Sequence, residues 1–301
     1  MQVLVAGGTG FIGRALVQEL LAAGHGVVVL TRRAPQEEGL FPPAVTIRRW
    51  SPPAPLPPSL LAGADAVVNL AGAGIARRWT QAAKREILSS RTGTTAALVN
   101  AMRASASPPR VLVNASAVGY YGPRGDEFVT ETDPPGDDFL ARVCREWEAA
   151  ATAAEAAGVR VVRLRIGLVL GRGGALARMS LPFRFFAGGP IGSGQQWMPW
   201  IHIDDVTGLI RFALENDSLR GAVNGTAPNP VRNRDFARTL GQVLHRPAVL
   251  PAPAFALRLV FGEMAEMLLT GQRAIPKAAL AAGYRFRFVE LGPALRAIYG
   301  R

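Results

Sequence analysis

A strand-like run, Gln2-Val-Leu-Val-Ala6, breaks into glycines at Gly7, Gly10 and Gly13. A helical pattern of apolar residues follows at once through Ala15, Leu16, Val17, Leu20 and Leu21. A strand that must turn this sharply into a helix needs glycine where a Cβ would block the backbone angles or the close approach. The helix start then offers free N–H groups and a partial positive charge, which suits a pyrophosphate. An ordinary tight turn could carry the same triplet. A strand before it and a helix after it favour a dinucleotide-binding turn, formed by Gly7, Thr9, Gly10, Phe11, Ile12 and Gly13.

Strand-like and helical periods then alternate. Val27–Leu30, Thr46–Ile47, Ala66–Leu70, Val111–Asn114 and Val159–Leu164 read as further strands, with helical patterns over Thr80–Met102 and Asp137–Ala157. Such alternation predicts an α/β chain: a Rossmann-type doubly wound parallel sheet with helices on both faces, and ligands beyond the carboxyl ends of the strands. Residues 1–170 form the dinucleotide-binding core, to which parts of 201–226 return. Residues 171–250 form a substrate-cleft portion, and 251–301 a small, mostly helical domain around an irregular Gln272–Pro276 turn. The part after the core is thus a smaller, mixed α/β and helical substrate portion. Seven prolines between Pro42 and Pro58 mark a surface loop.

The chain has 301 residues, half of them hydrophobic, so it can bury a sizeable core. No stretch reaches the ~18 uninterrupted apolar residues of a membrane span, and neither a signal peptide nor an anchor is evident. The expected compartment is the cytoplasm. Cys144 is the single cysteine, which excludes an intrachain disulfide and a cysteine-rich metal site. The three histidines are too dispersed for a metal centre, so no metal is expected. The formal charge of +12 comes from arginines scattered singly and in pairs; Lys84 and Lys277 are the only lysines. Nucleic-acid binding wants a clustered stripe; an anionic ligand site on an arginine-biased chain is the better reading.

The second strand ends Thr31-Arg32-Arg33, with no carboxylate until Glu37. A binder of the non-phosphorylated coenzyme usually places a carboxylate there for the ribose hydroxyls. A guanidinium suits a 2′-phosphate, so Thr31, Arg32 and Arg33 point to NADP(H). Asn69-Leu70-Ala71-Gly72 ends the fourth strand, where small residues let the backbone pass close to the adenosine ribose and the diphosphate. Arg85, Ser90 and Arg91 share the next helix, and only some of them can face a coenzyme. Arg165 ends the sixth strand, within reach of phosphates or substrate.

Together with Trp200-Ile-His-Ile-Asp-Asp205, the first turn and the Asn69–Gly72 loop resemble the extended short-chain dehydrogenase/reductases of the epimerase/dehydratase group. Closer marks resemble one atypical "epimerase family" branch, some of whose members carry a cell-division-inhibitor (SulA) label. They are Arg78-Trp79-Thr80, Ser90-Arg91, Ser116-Ala-Val-Gly-Tyr-Tyr-Gly122, Trp147-Glu148, Arg165-Ile-Gly-Leu-Val-Leu-Gly171, Leu181-Pro-Phe183, Gly188–Gly194, Gly271–Pro276 and Gly283–Phe286. The resemblance spans nearly the whole chain. It implies an NADP(H)-dependent, epimerase-like oxidoreductase with its own small C-terminal domain.

Enzymes of the wider superfamily commonly use a tyrosine with a lysine four residues on, sharing a helix face. No Tyr-x-x-x-Lys exists in this chain; counted from Glu148, Leu140 and Cys144 stand in those places. A phenol could instead come from Tyr120 or Tyr121 with Ser116 as its hydrogen-bond partner, or both tyrosines could simply line the pocket, the plainer alternative. Trp79, Cys144, Trp200 and His202 are expected around the substrate cleft, although an unpaired cysteine is most often a small buried hydrophobe and a lone histidine structural. Phe183, Phe185, Phe186 and Trp197 add to an expected apolar cavity. Three functions follow: an oxidoreductase on an unidentified small carbonyl or alcohol, a non-catalytic NADP(H)-binding regulator, and, last, nucleic-acid association. The partners expected are that small molecule and a second copy in a homodimer; no membrane partner is expected, and nucleic acid is disfavoured.

Overall fold

The computed structural model describes residues 1–32 and 39–300. Arg33 lies outside the described residues. In chain order the elements are β1 (Gln2–Ala6), α1 (Phe11–Ala22), β2 (Gly26–Thr31), β3 (Val45–Arg49), β4 (Ala66–Asn69), α2 (Gln81–Arg103), β5 (Val111–Ala117), β6 (Phe128–Val129), α3 (Phe139–Thr152), β7 (Arg160–Ile166) and β8 (Leu168–Leu170). There follow α4 (Gly174–Met179), α5 (Leu181–Arg184), β9 (Trp197–Met198), β10 (Trp200–His202), α6 (Ile203–Glu215), β11 (Gly221–Gly225), β12 (Val231–Arg232), α7 (Asn233–Leu244), α8 (Ala254–Phe261), α9 (Ala265–Leu269), β13 (Arg273–Ala274), α10 (Lys277–Ala281) and α11 (Leu291–Tyr299).

Seven strands make one parallel sheet in the order β11-β7-β5-β4-β1-β2-β3. Val3–Val5, Val67–Val68 and Val111–Val113 are buried on both sides, as a parallel sheet between helix layers requires. α1 and α6 cover one face, and α2 and α3 pack together on the other. Ala6 is in register with Leu30 and Asn69, and Asn69 with Asn114. The turns that follow β1, β2 and β4 therefore open along one edge, at the crossover between β1 and β4.

Caps set the helix boundaries. The Thr80 hydroxyl accepts from the Ala83 N–H at 3.2 Å, and Asp138 accepts from the Ala141 N–H at 2.7 Å. Each cap residue thus stands outside its helix, so α2 and α3 start later than the apolar pattern alone predicts. The regular part of α3 ends at Thr152, and a 3-10 turn carries the chain to Ala157. The proline-rich stretch is more than a surface loop: β3 lies within it, and Trp50 and Leu56 are buried against the β2–β4 side of the core. A further core in the second half gathers Leu170, Phe183, Trp200, Phe236, Leu240 and Leu295. No described helix is long and apolar enough to cross a membrane.

Candidate functional site

The first turn is held by backbone contact. Gly7 lies at φ +80°, and a Cβ there would stand 2.7 Å from the Leu70 carbonyl carbon and 2.8 Å from the Ala71 nitrogen. The turn after β1 and the loop after β4 consequently touch main chain to main chain. A Cβ on Gly13 would lie 2.3 Å from the Gly7 oxygen, so only glycine lets α1 begin this close. Gly10 caps α1 without a side chain, and no acidic residue stands in the first turn. The leading N–H groups of α1 thus have no side-chain cap, next to the exposed Gly10 and half-buried Thr9. The Phe11 ring fills a groove of glycines, since Cβ atoms on Gly171, Gly173 and Gly174 would each come within 2.9 Å of it. Ile12 packs on the core. Phe11 and Ile12 therefore build the cradle and leave its main chain open to a ligand.

At the other end of this edge, Thr31 is buried at the end of β2 and Arg32 is exposed immediately beyond it. Asn69 is fully buried. Its Nδ2 donates to Thr95 Oγ1 at 2.9 Å and Asn114 Oδ1 at 2.7 Å, while its Oδ1 accepts from the Ala71 N–H at 3.2 Å. It braces the floor beneath Leu70 and Ala71 and does not face a ligand. The Ala73 N–H donates to Ser90 Oγ, and Arg91 Nη1 donates to the Ala73 carbonyl, both at 3.0 Å. Ser90 and Arg91 thus latch the Gly72–Gly74 loop onto α2. Arg85 is exposed, and no hydrogen bond or ion pair joins it to that loop among the described residues.

The expected reach of Arg165 toward phosphate does not occur. Its side chain, 3 % exposed, donates from Nε and Nη2 to the two Glu148 oxygens at 2.8 and 2.9 Å. Its Nη1 donates to the Tyr121 hydroxyl at 3.0 Å and the Glu131 carbonyl at 3.2 Å. Burial pulls the pKa of Arg165 down, but the hydrogen bonds and charge of Glu148 outweigh it, and the guanidinium titrates above its ordinary range. Ser116 Oγ donates to Glu148 at 2.7 Å, which ties the serine to this pair rather than to a phenol.

The two tyrosines diverge. Tyr121 is fully buried and donates to Asn224 Oδ1 at 2.6 Å. Burial, opposed by Arg165, pushes its phenol up to about 12. Tyr120 is half-buried, with its ring centroid 3.4 Å from the Arg165 guanidinium carbon, and its hydroxyl makes no hydrogen bond among the described residues. Of the expected catalytic trio, only Tyr120 keeps an unengaged polar atom.

Several expected cleft residues lie elsewhere. Cys144 is buried, with its thiol 3.7 Å from the Ala117 carbonyl, and burial with the Glu148 charge pushes it up to about 12. Trp200 is fully buried and donates to the Asn229 carbonyl. Phe183 is core, whereas Phe185 and Phe186 point outward. Trp79 is half-buried, 5.2 Å edge-on from Phe139, and its Nε1 donates to the Ile75 carbonyl at 3.0 Å.

His202 caps α6, its Nδ1 accepting from the Asp204 N–H at 3.2 Å, with the ring 4.0 Å from Phe288. Asp205 accepts from the N–H groups of Arg287 and Phe288 at 2.7 and 3.0 Å, and the Tyr284 hydroxyl donates to the Asp205 carbonyl. The Trp200–Asp205 motif thus docks the Tyr284–Phe288 segment. Burial, opposed by Asp204 and reinforced by Arg287, lowers the pKa of His202.

Sequence reasoning missed Glu148 as a hub, though the Trp147-Glu148 pair was a visible mark. It also missed Gln272, whose Nε2 donates to the Val118 carbonyl at 2.6 Å and fixes the tyrosine turn to the C-terminal part. Glu131 joins the same layer by accepting from the N–H groups of Asn224 and Ala278.

Comparison with known proteins agrees with this geometry. Residues 3–224 match the NAD dependent epimerase/dehydratase family, and residues 252–298 match a domain of unknown function, DUF1731. The chain is 48 % identical over 308 residues to the epimerase family protein SDR39U1 homolog, chloroplastic, of Arabidopsis thaliana, covering 99 % of this chain and 86 % of that protein. It is 41 % identical over 296 residues to the epimerase family protein YfhF of Bacillus subtilis, covering 98 % and 97 %. Its structure superposes on human epimerase family protein SDR39U1, crystallised with NADPH, with a TM-score of 0.87 at 41 % identity and complete coverage of both chains. The chain belongs to the NAD dependent epimerase/dehydratase family and carries a DUF1731 domain after its sheet.

Proposed function

We infer that the chain binds NADP(H) along the carboxyl edge of its sheet and acts as an oxidoreductase on a small carbonyl or alcohol. The observation that carries the coenzyme half is the glycine cradle: Cβ positions at Gly7 and Gly13 are already filled by main chain, and no side chain caps the start of α1. Those open N–H groups suit a pyrophosphate. Exposed Arg32 at the end of β2 suits a 2′-phosphate, and the NADPH bound to the human relative supports the same choice. When bound, the coenzyme supplies a hydride. Tyr120 holds the proton: its phenol is the one hydroxyl of the expected trio not tied up inside the protein. Arg165, fixed by Glu148, stacks beneath the ring and orients it. Trp79 and Phe139, in edge-on contact, wall one side of the cleft in this reading. The compartment we propose is the cytoplasm.

A second reading, an NADP(H) binder without turnover, draws on the buried Cys144 and half-buried Leu140 in the places of the usual pair. The discriminating experiment follows NADPH oxidation over a panel of small aldehydes and ketones, comparing the wild type with Tyr120→Phe. The oxidoreductase reading expects turnover that falls about 100-fold or more in Tyr120→Phe, with coenzyme binding unchanged. Undiminished turnover in that variant would remove Tyr120 from the chemistry. Binding without turnover on any carbonyl would favour the second reading.

A further inference from the structure

Helix α8 reads Ala-Phe-Ala-Leu-Arg-Leu-Val-Phe, yet none of its residues is buried. Helices of a folded domain ordinarily turn their apolar stripe inward. Here Phe255 and Leu259, one turn apart on the same face, are 74 % and 76 % exposed, and Val260 is 61 % exposed. The surface does not end with this helix. Residues 248 and 252 bridge to 188 and 191, the segment leaving α5, so the tips of α5 and α8 are joined through adjacent chain. On that side Phe185, Phe186 and Val249 are 74 %, 59 % and 73 % exposed. Phe186 holds its ring outward at φ +58°, a conformation disfavoured for a bulky residue. Large side chains exposed in this number on bridged, neighbouring segments mark a candidate interaction site.

Charge narrows the occupant. The Arg246 guanidinium lies 4.7 Å from the Phe186 ring, and Arg246 and Val249 line one shallow groove. Arg184 ends α5, and Arg178 lies one helix earlier. All three are exposed, and none makes an ion pair among the described residues. A symmetric contact between two copies would gather both sets of these arginines into one interface in a chain of formal charge +12, like charge near like charge. Arg258 on α8 is paired with Glu266 and Lys84 with Glu263, so the unpaired cations stand on the α5 side. Exposed rings beside them match an anionic bilayer instead, the rings entering the acyl boundary while the guanidinium groups meet the phosphates.

We propose that the α5–α8 face of this protein docks on an anionic lipid surface as a peripheral contact. The inference is independent of the coenzyme site. The test is sedimentation of the full chain with vesicles of phosphatidylcholine and of a phosphatidylcholine–phosphatidylglycerol mixture, at low and high salt, with ultracentrifugation of the free protein alongside. Retention on the mixed vesicles alone, weakened by salt, is expected. Phe255→Glu/Leu259→Glu and, separately, Arg184→Glu/Arg246→Glu should each reduce the bound fraction about tenfold, while thermal unfolding and NADPH binding stay as in the wild type. Absence of retention on mixed vesicles would overturn the proposal, as would retention of either variant at the wild-type level. A wild-type dimer that the Phe255/Leu259 variant dissociates would assign this face to a second copy and also overturn it.

Discussion

Glu148 carries more of the site than any other side chain, because it neutralises a guanidinium that water cannot reach. Arg165 and Glu148 are both almost fully buried and meet through two hydrogen bonds. Removing one partner from such a pair leaves an uncompensated charge inside the protein. Glu148→Gln should therefore lower unfolding stability by about 3–5 kcal/mol, measured by denaturant titration, and a loss below about 1 kcal/mol would mean the pair is effectively solvated. The residue scale is also where sequence reasoning stopped short. Tyr120 and Tyr121 are neighbours in one 3-10 turn and look interchangeable as letters. One is sealed by Asn224 and Arg165, which come from β11 and β7, and the other's hydroxyl has no partner among the described residues. Partners 44 and 103 residues away in sequence decide that difference. The same holds for Arg165: its position at a strand end pointed to a ligand, and Glu148 on α3 claims it.

At the scale of elements, the joint between α6 and the C-terminal part has a pH signature. His202 is buried in its neutral form, with its pKa held below the ordinary value of about 6.5. The unfolded chain then takes up this proton first as pH falls. The stability contributed by neutral His202 is complete above about pH 6.5 and is lost progressively below it. Asp205 beside it runs the other way: burial, outweighing the N–H groups of Arg287 and Phe288, raises its pKa, so its contribution declines as pH rises through that raised value. The comparison of wild type with His202→Asn, which replaces the Nδ1 acceptor of the cap with an amide oxygen, isolates the histidine. Thermal unfolding from about pH 7.5 to about 5 should show a steeper loss in the wild type than in the variant; parallel curves would show that His202 is not linked to folding. The long elements were legible because their periods repeat many times, as in β1, α1 and β2. The paired segments β8–β10, β9–β12 and β6–β13 were not. Each has only two or three residues in register, and its partner is supplied by the tertiary fold.

Over the whole molecule, the register of the parallel sheet brings three separate sequence signals to one edge. The Gly7–Gly13 turn, the exposed Arg32 and the Leu70–Gly72 loop follow strands whose ends align, so a ligand spanning them meets amides at one end and a guanidinium at the other. The fold class and this edge were readable from the chain because both follow from alternation and from glycine placement. The docking of the C-terminal part was not, since it depends on Gln272, Asp205 and Glu131 meeting main chain far away in sequence. Calorimetric titration of the purified protein with NADPH and with NADH, repeated on Arg32→Glu, bears most directly on the central claim. The account predicts that NADPH binds at least about tenfold more tightly than NADH and that Arg32→Glu erases most of that preference while leaving NADH affinity nearly unchanged. Well-folded protein that gives no heat with either coenzyme would contradict it.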